Sequence, residues 1–210
     1  MRDNVCAGFA LSLANMMLRI GFDHEPFGDV GFARGNGSIL PAVRQSIAEG
    51  AIEGRRATHL LWIDADHEFP SDTAHRLLAH GRPLVGINAT TRTPPIQGTA
   101  IRKGNERLVT NAHSKGLERV SRMGFGVALI ESRVFLAMEK PWFAIDYVEC
   151  KDGHTFSGED VYFCEKAKAA GFAPMIDHDL TKETKHIGAI GWASEAVEAA
   201  DWQLGQGGSE

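Results

Sequence analysis

The sequence predicts an α/β layer fold, because short apolar runs of strand length alternate along the chain with stretches of helical period. The runs are "HLLWI" (59–63), "PLVGINA" (83–89), "GVALI" (126–130) and "FAPMID" (172–177). No internal repeat or low-complexity block interrupts the alternation, and 210 residues suit one sizeable core. A single domain over 1–204 with a flexible tail, "GQGGSE" at 205–210, is therefore expected.

Each element has its own reason. The opening "MRDNVCAGFALSLANMML" puts Phe9, Leu13 and Met16/Met17 on one face of an amphipathic helix. Asn4, Ser12 and Asn15 interrupt it, so no run approaches the ~20 apolar residues of a transmembrane segment. It also lacks the basic start and small-residue cleavage site of a secretory leader. Ser38 is expected to cap a helix through "ILPAVRQSIAEGAIEG" (39–54), with Pro41 tolerated in its first turn, where no helical N–H bond is lost. "HLLWI" reads as a buried strand. "SDTAHRLLAHG" (71–81) reads as a helix capped by Ser71 and closed by Gly81, leading to the second strand. "TTRTPPIQG" (90–98) must be a loop, and a polar middle spans 102–122. After the third strand come a helix from Ser132 to Met138 and a loop around Pro141 and Trp142. Ser157 is expected to cap "GEDVYFCEKAKAAG", and a last strand and the helix "WASEAVEAADWQL" complete the series.

Composition narrows the function. A net charge of −5 and a pI near 6.0 provide no overall basic field, so strong nucleic-acid binding is not expected. Cys6, Cys150 and Cys164 are widely spaced and form no CxxC pair, which fits a reducing cytoplasm.

The chemistry starts where "HLLWI" ends in Asp64 and Asp66. Carboxylates two apart in an extended segment point to one side, and the carboxyl end of a strand in an open sheet is where ligands sit. Two acids there suit a hard divalent cation bridging to phosphates, or else they cap the turn into the next helix. Glu159 and Asp160 fall in the first turn of a helix, where the macrodipole keeps carboxylates ionised; they read as a base or as ordinary caps. His178 and His186 follow the last strand, and histidine is the commonest metal ligand.

Together "LLWIDADHEFP", "MGFGVALIESRVF", "SGEDVYFCEKAKAAGF" and "KHIG", in this order over residues 59–188, resemble the nucleotide-sugar glycosyltransferases of GT-A fold, especially family 2-like members. The resemblance implies a Rossmann-like, mostly parallel sheet flanked by helices, with Mn²⁺ or Mg²⁺ as cofactor and a nucleotide-diphosphate sugar as donor. It makes Asp66 and His186 metal ligands, with Asp64 at the ribose or metal shell. Asp160 becomes the general base toward an unknown acceptor hydroxyl, and Glu159 orients the acceptor. Gly124 and Gly126 would line the acceptor side, Trp142 could serve as a sugar platform, and Arg34, in "ARGNGS", could assist at the phosphates. Such enzymes open with a strand inside the sheet; only "MRDNV" precedes the first helix here, so that strand is expected to be missing. Two other classes stay open. One is a metal-dependent phosphoryl-transfer enzyme with Asp64 as nucleophile, although Glu68 stands where such phosphatases carry Thr or Val. The other is a non-catalytic nucleotide-sugar-binding module.

Overall fold

The computed structural model describes residues 5–188 except 24, 36, 93, 94, 151 and 152. The expected last helix at 192–204 and the tail at 205–210 lie outside the described residues, as do residues 1–4.

The chain runs α1 (Ala7–Asp23), α2 (Leu40–Glu49) with a π-helical turn (Gly50–Gly54), β1 (His59–Ile63), β2 (His67–Glu68), α3 (Thr73–Ala79), β3 (Leu84–Gly86) and β4 (Leu117–Arg119). It continues through β5 (Val127–Glu131), α4 (Ser132–Leu136), β6 (Asp146–Cys150), β7 (Gly153–Ser157), α5 (Glu159–Ala169), β8 (Met175–Asp177), α6 (His178–Glu183) and β9 (Lys185–His186). The main sheet has the order β1-β5-β3-β8-β4. Alternation along the strands fills two layers. Leu60, Trp62, Leu84, Ala128, Ile130 and Ile176 meet the apolar sides of α2, α4 and α5 on one face. On the other, Val85, Val127 and Leu129 pack with Leu77 of α3 and Leu180 of α6, while Leu61 and Ile63 meet the inner stripe of α1, Met16 and Ile20.

The α/β class holds, but the sheet is mostly antiparallel: among the described residues only β3 and β8 pair in parallel. β1 and β3 do run the same way, as a strand–helix–strand unit requires. However, β5 reaches them through a long polar connection and inserts between them in the opposite direction. That connection also hides β4, which pairs antiparallel to β8 inside the stretch expected to be merely polar. β1 is not buried on both edges either. Among the described residues it has a strand partner on one side alone, β5, and its side chains alternate between buried and partly exposed.

The three expected serine caps are corrected as well. The residues at the cap positions are Ile39, Asp72 and Gly158, and none makes a side-chain cap bond. A turn precedes α3, in which the Thr73 N–H and hydroxyl both donate to the Pro70 carbonyl, and this moves the helix start past Ser71. Ser157 is taken up by β7. Gly81 does close its helix, at φ +56, a conformation that costs other residues strain. β6 and β7 pair antiparallel as an exposed two-stranded sheet, in a stretch where the sequence predicts no strand, and β7 delivers the chain to the start of α5. No described helix is long and apolar enough to cross a membrane.

Candidate active site

Because β1 and β3 end at the same edge of the sheet where β5 begins, several chain segments meet there. The Asp64 N–H donates to the Gly126 carbonyl (2.9 Å) and the Thr99 N–H to the Ala89 carbonyl (2.8 Å). β9 returns to pair with β2, setting His186 opposite His67, and the Ile187 N–H donates to the Asp66 carbonyl (2.7 Å).

Asp64 and Asp66 do not share a side. The strand stops at Ile63, and residues 64–67 form a turn closed by the His67 N–H on the Asp64 carbonyl (3.1 Å), so strand alternation no longer applies. Asp64 faces Arg44, whose Nη2 donates to its Oδ1 (3.2 Å), while Arg44 Nε donates to Glu159 Oε1 (3.1 Å). Arg44 is 5% exposed and its guanidinium lies 5.3 Å from the Trp62 ring centroid and 5.6 Å from that of Phe125. One buried cation thus joins the acid after β1 to the acid that opens α5. The surrounding protein pushes the Asp64 carboxyl above the usual aspartate range even though its side chain is half-exposed, and Arg44 pulls the other way.

Asp66 turns toward two histidines. His67 Nδ1 donates to Asp66 Oδ1 (3.1 Å), and Asp66 Oδ2 faces His186 Nε2 (3.3 Å) and accepts from Arg92 Nη1 (2.7 Å). The imidazoles stack at 4.2 Å between centroids. His186 Nδ1 donates to the Thr90 carbonyl (2.5 Å), so in the neutral ring Nε2 carries the lone pair. A lone pair facing a carboxylate oxygen is stabilised only by a proton or a cation between them. Among the described residues one group fits an ion, Asp66, His67 and His186, whose donor atoms all lie within 4.8 Å of one another. His67 is 1% exposed, burial holds its pKa below the ordinary value, and its buried Nε2 has no hydrogen-bond partner.

Gly126 makes room for that ring. A Cβ there would stand 2.5 Å from His67 Nε2 and 3.3 Å from Ala89 Cβ, so Gly126 backs His67. Gly126→Ala is expected to destabilise the chain by about 1–3 kcal/mol, the usual cost of overpacking. An alanine variant with wild-type melting would contradict this packing.

Asp160 stands apart, in the first turn of α5. Its Oδ1 accepts the Val161 N–H (2.7 Å), and a Cβ at Gly124 would lie 3.5 Å from its Oδ2 and 3.0 Å from the buried, unpartnered Thr99 hydroxyl. Burial, and next the charge of Glu159, raise its pKa.

The other predicted residues fall elsewhere. Trp142 is 2% exposed, donates from Nε1 to the Met138 carbonyl (3.2 Å) and packs on Phe135, so it is core and not a sugar platform. Arg34 lies on the exposed segment before α2, and the guanidiniums at the acids are Arg44 and Arg92. His178 is buried between Thr110 Oγ1 (2.9 Å) and Glu118 Oε2 (3.0 Å). Sequence reasoning passed over His67, Arg44 and Arg92. His67 adjoins Asp66 in "DADHEFP", and Arg44 is a charge on the inward side of an amphipathic helix; those were the available signals.

No protein-family model matches this chain, and no curated protein does. Among solved structures it is similar to a crystal structure of A197 from STIV, with 14% identity over 87% of this chain and 90% of that one and a TM-score of 0.49.

Proposed function

We propose that the chain is a metal-dependent glycosyltransferase of GT-A type, moving a sugar from a nucleotide-diphosphate donor to an acceptor hydroxyl. The observation that carries this reading is the linkage of two chemistries by one buried cation. A group fit for an ion, Asp66 with His67 and His186, lies two residues from Asp64, and Arg44 ties Asp64 to Glu159, next to Asp160. When the anomeric bond breaks, the transition state is oxocarbenium-like and negative charge gathers on the leaving diphosphate. A bound metal ion supplies Lewis-acid stabilisation of that charge, worth several kcal/mol. Asp160, its raised pKa making it a better proton acceptor than an ordinary aspartate, takes the acceptor's hydroxyl proton as the new bond to the sugar forms. One carboxylate and two imidazoles suit a first-row ion such as Mn²⁺ better than Mg²⁺, which prefers oxygen ligands. The phosphoryl-transfer reading has less support, because its nucleophile, Asp64, is engaged by Arg44 and has a raised pKa.

The test is thermal stabilisation by UDP, GDP, CDP and dTDP with and without Mn²⁺. A ligand at 100 times its dissociation constant adds about 2.7 kcal/mol of stability. One nucleoside diphosphate should stabilise the chain only with Mn²⁺, with Mg²⁺ a poorer substitute. Asp66→Asn should weaken Mn²⁺ binding roughly tenfold or more, since a coordinating charge is lost. Nucleotide binding that ignores both the metal and Asp66→Asn would end this reading.

A further inference from the structure

Asp66 has two oxygens and three neighbours. His67 takes Oδ1, while Oδ2 is shared by His186 Nε2 at 3.3 Å and Arg92 Nη1 at 2.7 Å. A metal ion held by Asp66 and His186 would draw on the same carboxylate that Arg92 Nη1 now engages, and would supply Lewis-acid stabilisation to bound phosphates. A second cation arriving at that carboxylate repels the first, and the repulsion grows as they approach.

Arg92 is free to yield the position. It follows Thr90, which is bridged to Gly98, and Thr91, whose N–H donates to the Gln97 carbonyl (2.8 Å). Its side chain is 54% exposed. Gly188, just after β9, lies against its stem: a Cβ there would meet Arg92 Cβ at 3.6 Å. The stem thus lies against the chain that follows His186, a member of the ion group. A guanidinium offers the planar, bidentate geometry that phosphate oxygens accept.

We infer that Arg92 is an exchangeable counter-ion: it neutralises Asp66 in the metal-free protein, and the arriving metal displaces it onto the diphosphate that the metal carries. This rests on the cation site proposed above and assigns to Arg92 the phosphate role expected of Arg34. It requires effects of opposite sign from one substitution. Arg92→Ala should bind Mn²⁺ more tightly, by about three- to fivefold, the scale of a partly exposed ion pair. The same variant should bind inorganic pyrophosphate, with Mn²⁺ saturating, roughly tenfold more weakly, as expected for the loss of charged bidentate hydrogen bonds. Arg92→Lys, which keeps a point charge, should fall between wild type and alanine for pyrophosphate.

Calorimetric titration of Mn²⁺ alone, then of pyrophosphate with Mn²⁺ present, reads both effects without any turnover. Circular dichroism should be unchanged, since Arg92 lies on an exposed loop. Mn²⁺ affinity that is unchanged or weaker in Arg92→Ala overturns the exchange, as does unaltered pyrophosphate affinity. If wild type and Arg92→Ala both fail to bind Mn²⁺, the cation site itself is wrong and the inference falls with it. Mn²⁺ binding that appears only in the alanine variant supports the exchange.

Discussion

Arg44→Met should lower the unfolding free energy by about 3 kcal/mol, the scale seen when one partner of a buried ion pair is removed. Methionine fills much of the space against Trp62 and Phe125 but carries no charge. Glu159, nearly buried, and Asp64, half-exposed, would then face each other's neighbourhood without a cation. Asp64 already has a raised pKa with Arg44 in place, so the loss should raise it further. The sign follows by linkage. A carboxyl whose folded pKa lies above its unfolded value disfavours the fold increasingly as pH rises through the folded value. The Asp64 share of the deficit should therefore be full at neutral pH, shrink as the pH falls through its raised folded pKa and vanish below the unfolded value, about 3.9. Adding Glu159→Gln to Arg44→Met should restore part of the stability, because one unpaired charge is removed. Urea midpoints for the wild type and both variants at neutral and acid pH check this. A single variant as stable as wild type would mean that the acids are solvated well enough to do without Arg44.

That prediction rests on contacts that sequence could not supply, and the reason is general. The apolar runs and helical faces were legible because burial imposes its period on neighbouring residues. "HLLWI" is a strand at the residues expected, and Phe9, Leu13, Met16 and Met17 do face the core. Direction and pairing were not legible, because the same apolar strand "GVALI" satisfies either orientation and the connection before it has no helix to betray a crossover. The site divides in the same way. Asp66 and His186 were visible as chemical types at the ends of strands, and the two-residue β2–β9 pairing faces them across Asp66's turn. His67 became relevant only through that pairing, which joins residues more than a hundred positions apart. Arg44 carries a charge on the inward face of α2, which periodicity alone counts as an imperfection; its reason lies in two acids, 20 and 115 positions further on. The reading of two acids as pointing one way failed on a local fact, the turn that begins at Asp64.

Asp160→Asn separates catalysis from capping, because the two roles predict opposite stability changes. If Asp160 accepts the acceptor's proton, the amide should reduce turnover at least a hundredfold while leaving Mn²⁺ and nucleotide binding in place, since only proton transfer is lost. The Val161 N–H bond survives, because asparagine offers an equivalent oxygen. Stability should move the other way. Burial and the adjacent Glu159 raise the Asp160 pKa, so at neutral pH the ionised carboxylate destabilises the fold relative to the unfolded chain. A neutral amide removes that cost, and the variant should melt higher than wild type at pH 7. The advantage should fade as pH falls through the folded pKa and vanish below the unfolded value, about 3.9, where Asp160 is protonated in both states. A carboxylate that served merely to complement the helix dipole would behave in reverse, and its loss would cost about 0.3–1 kcal/mol at neutral pH. Melting curves at pH 7 and pH 3, beside turnover with whichever nucleotide sugar the binding panel identifies, decide between them. A variant that turns over normally and melts lower would return Asp160 to the role of complementing the helix end.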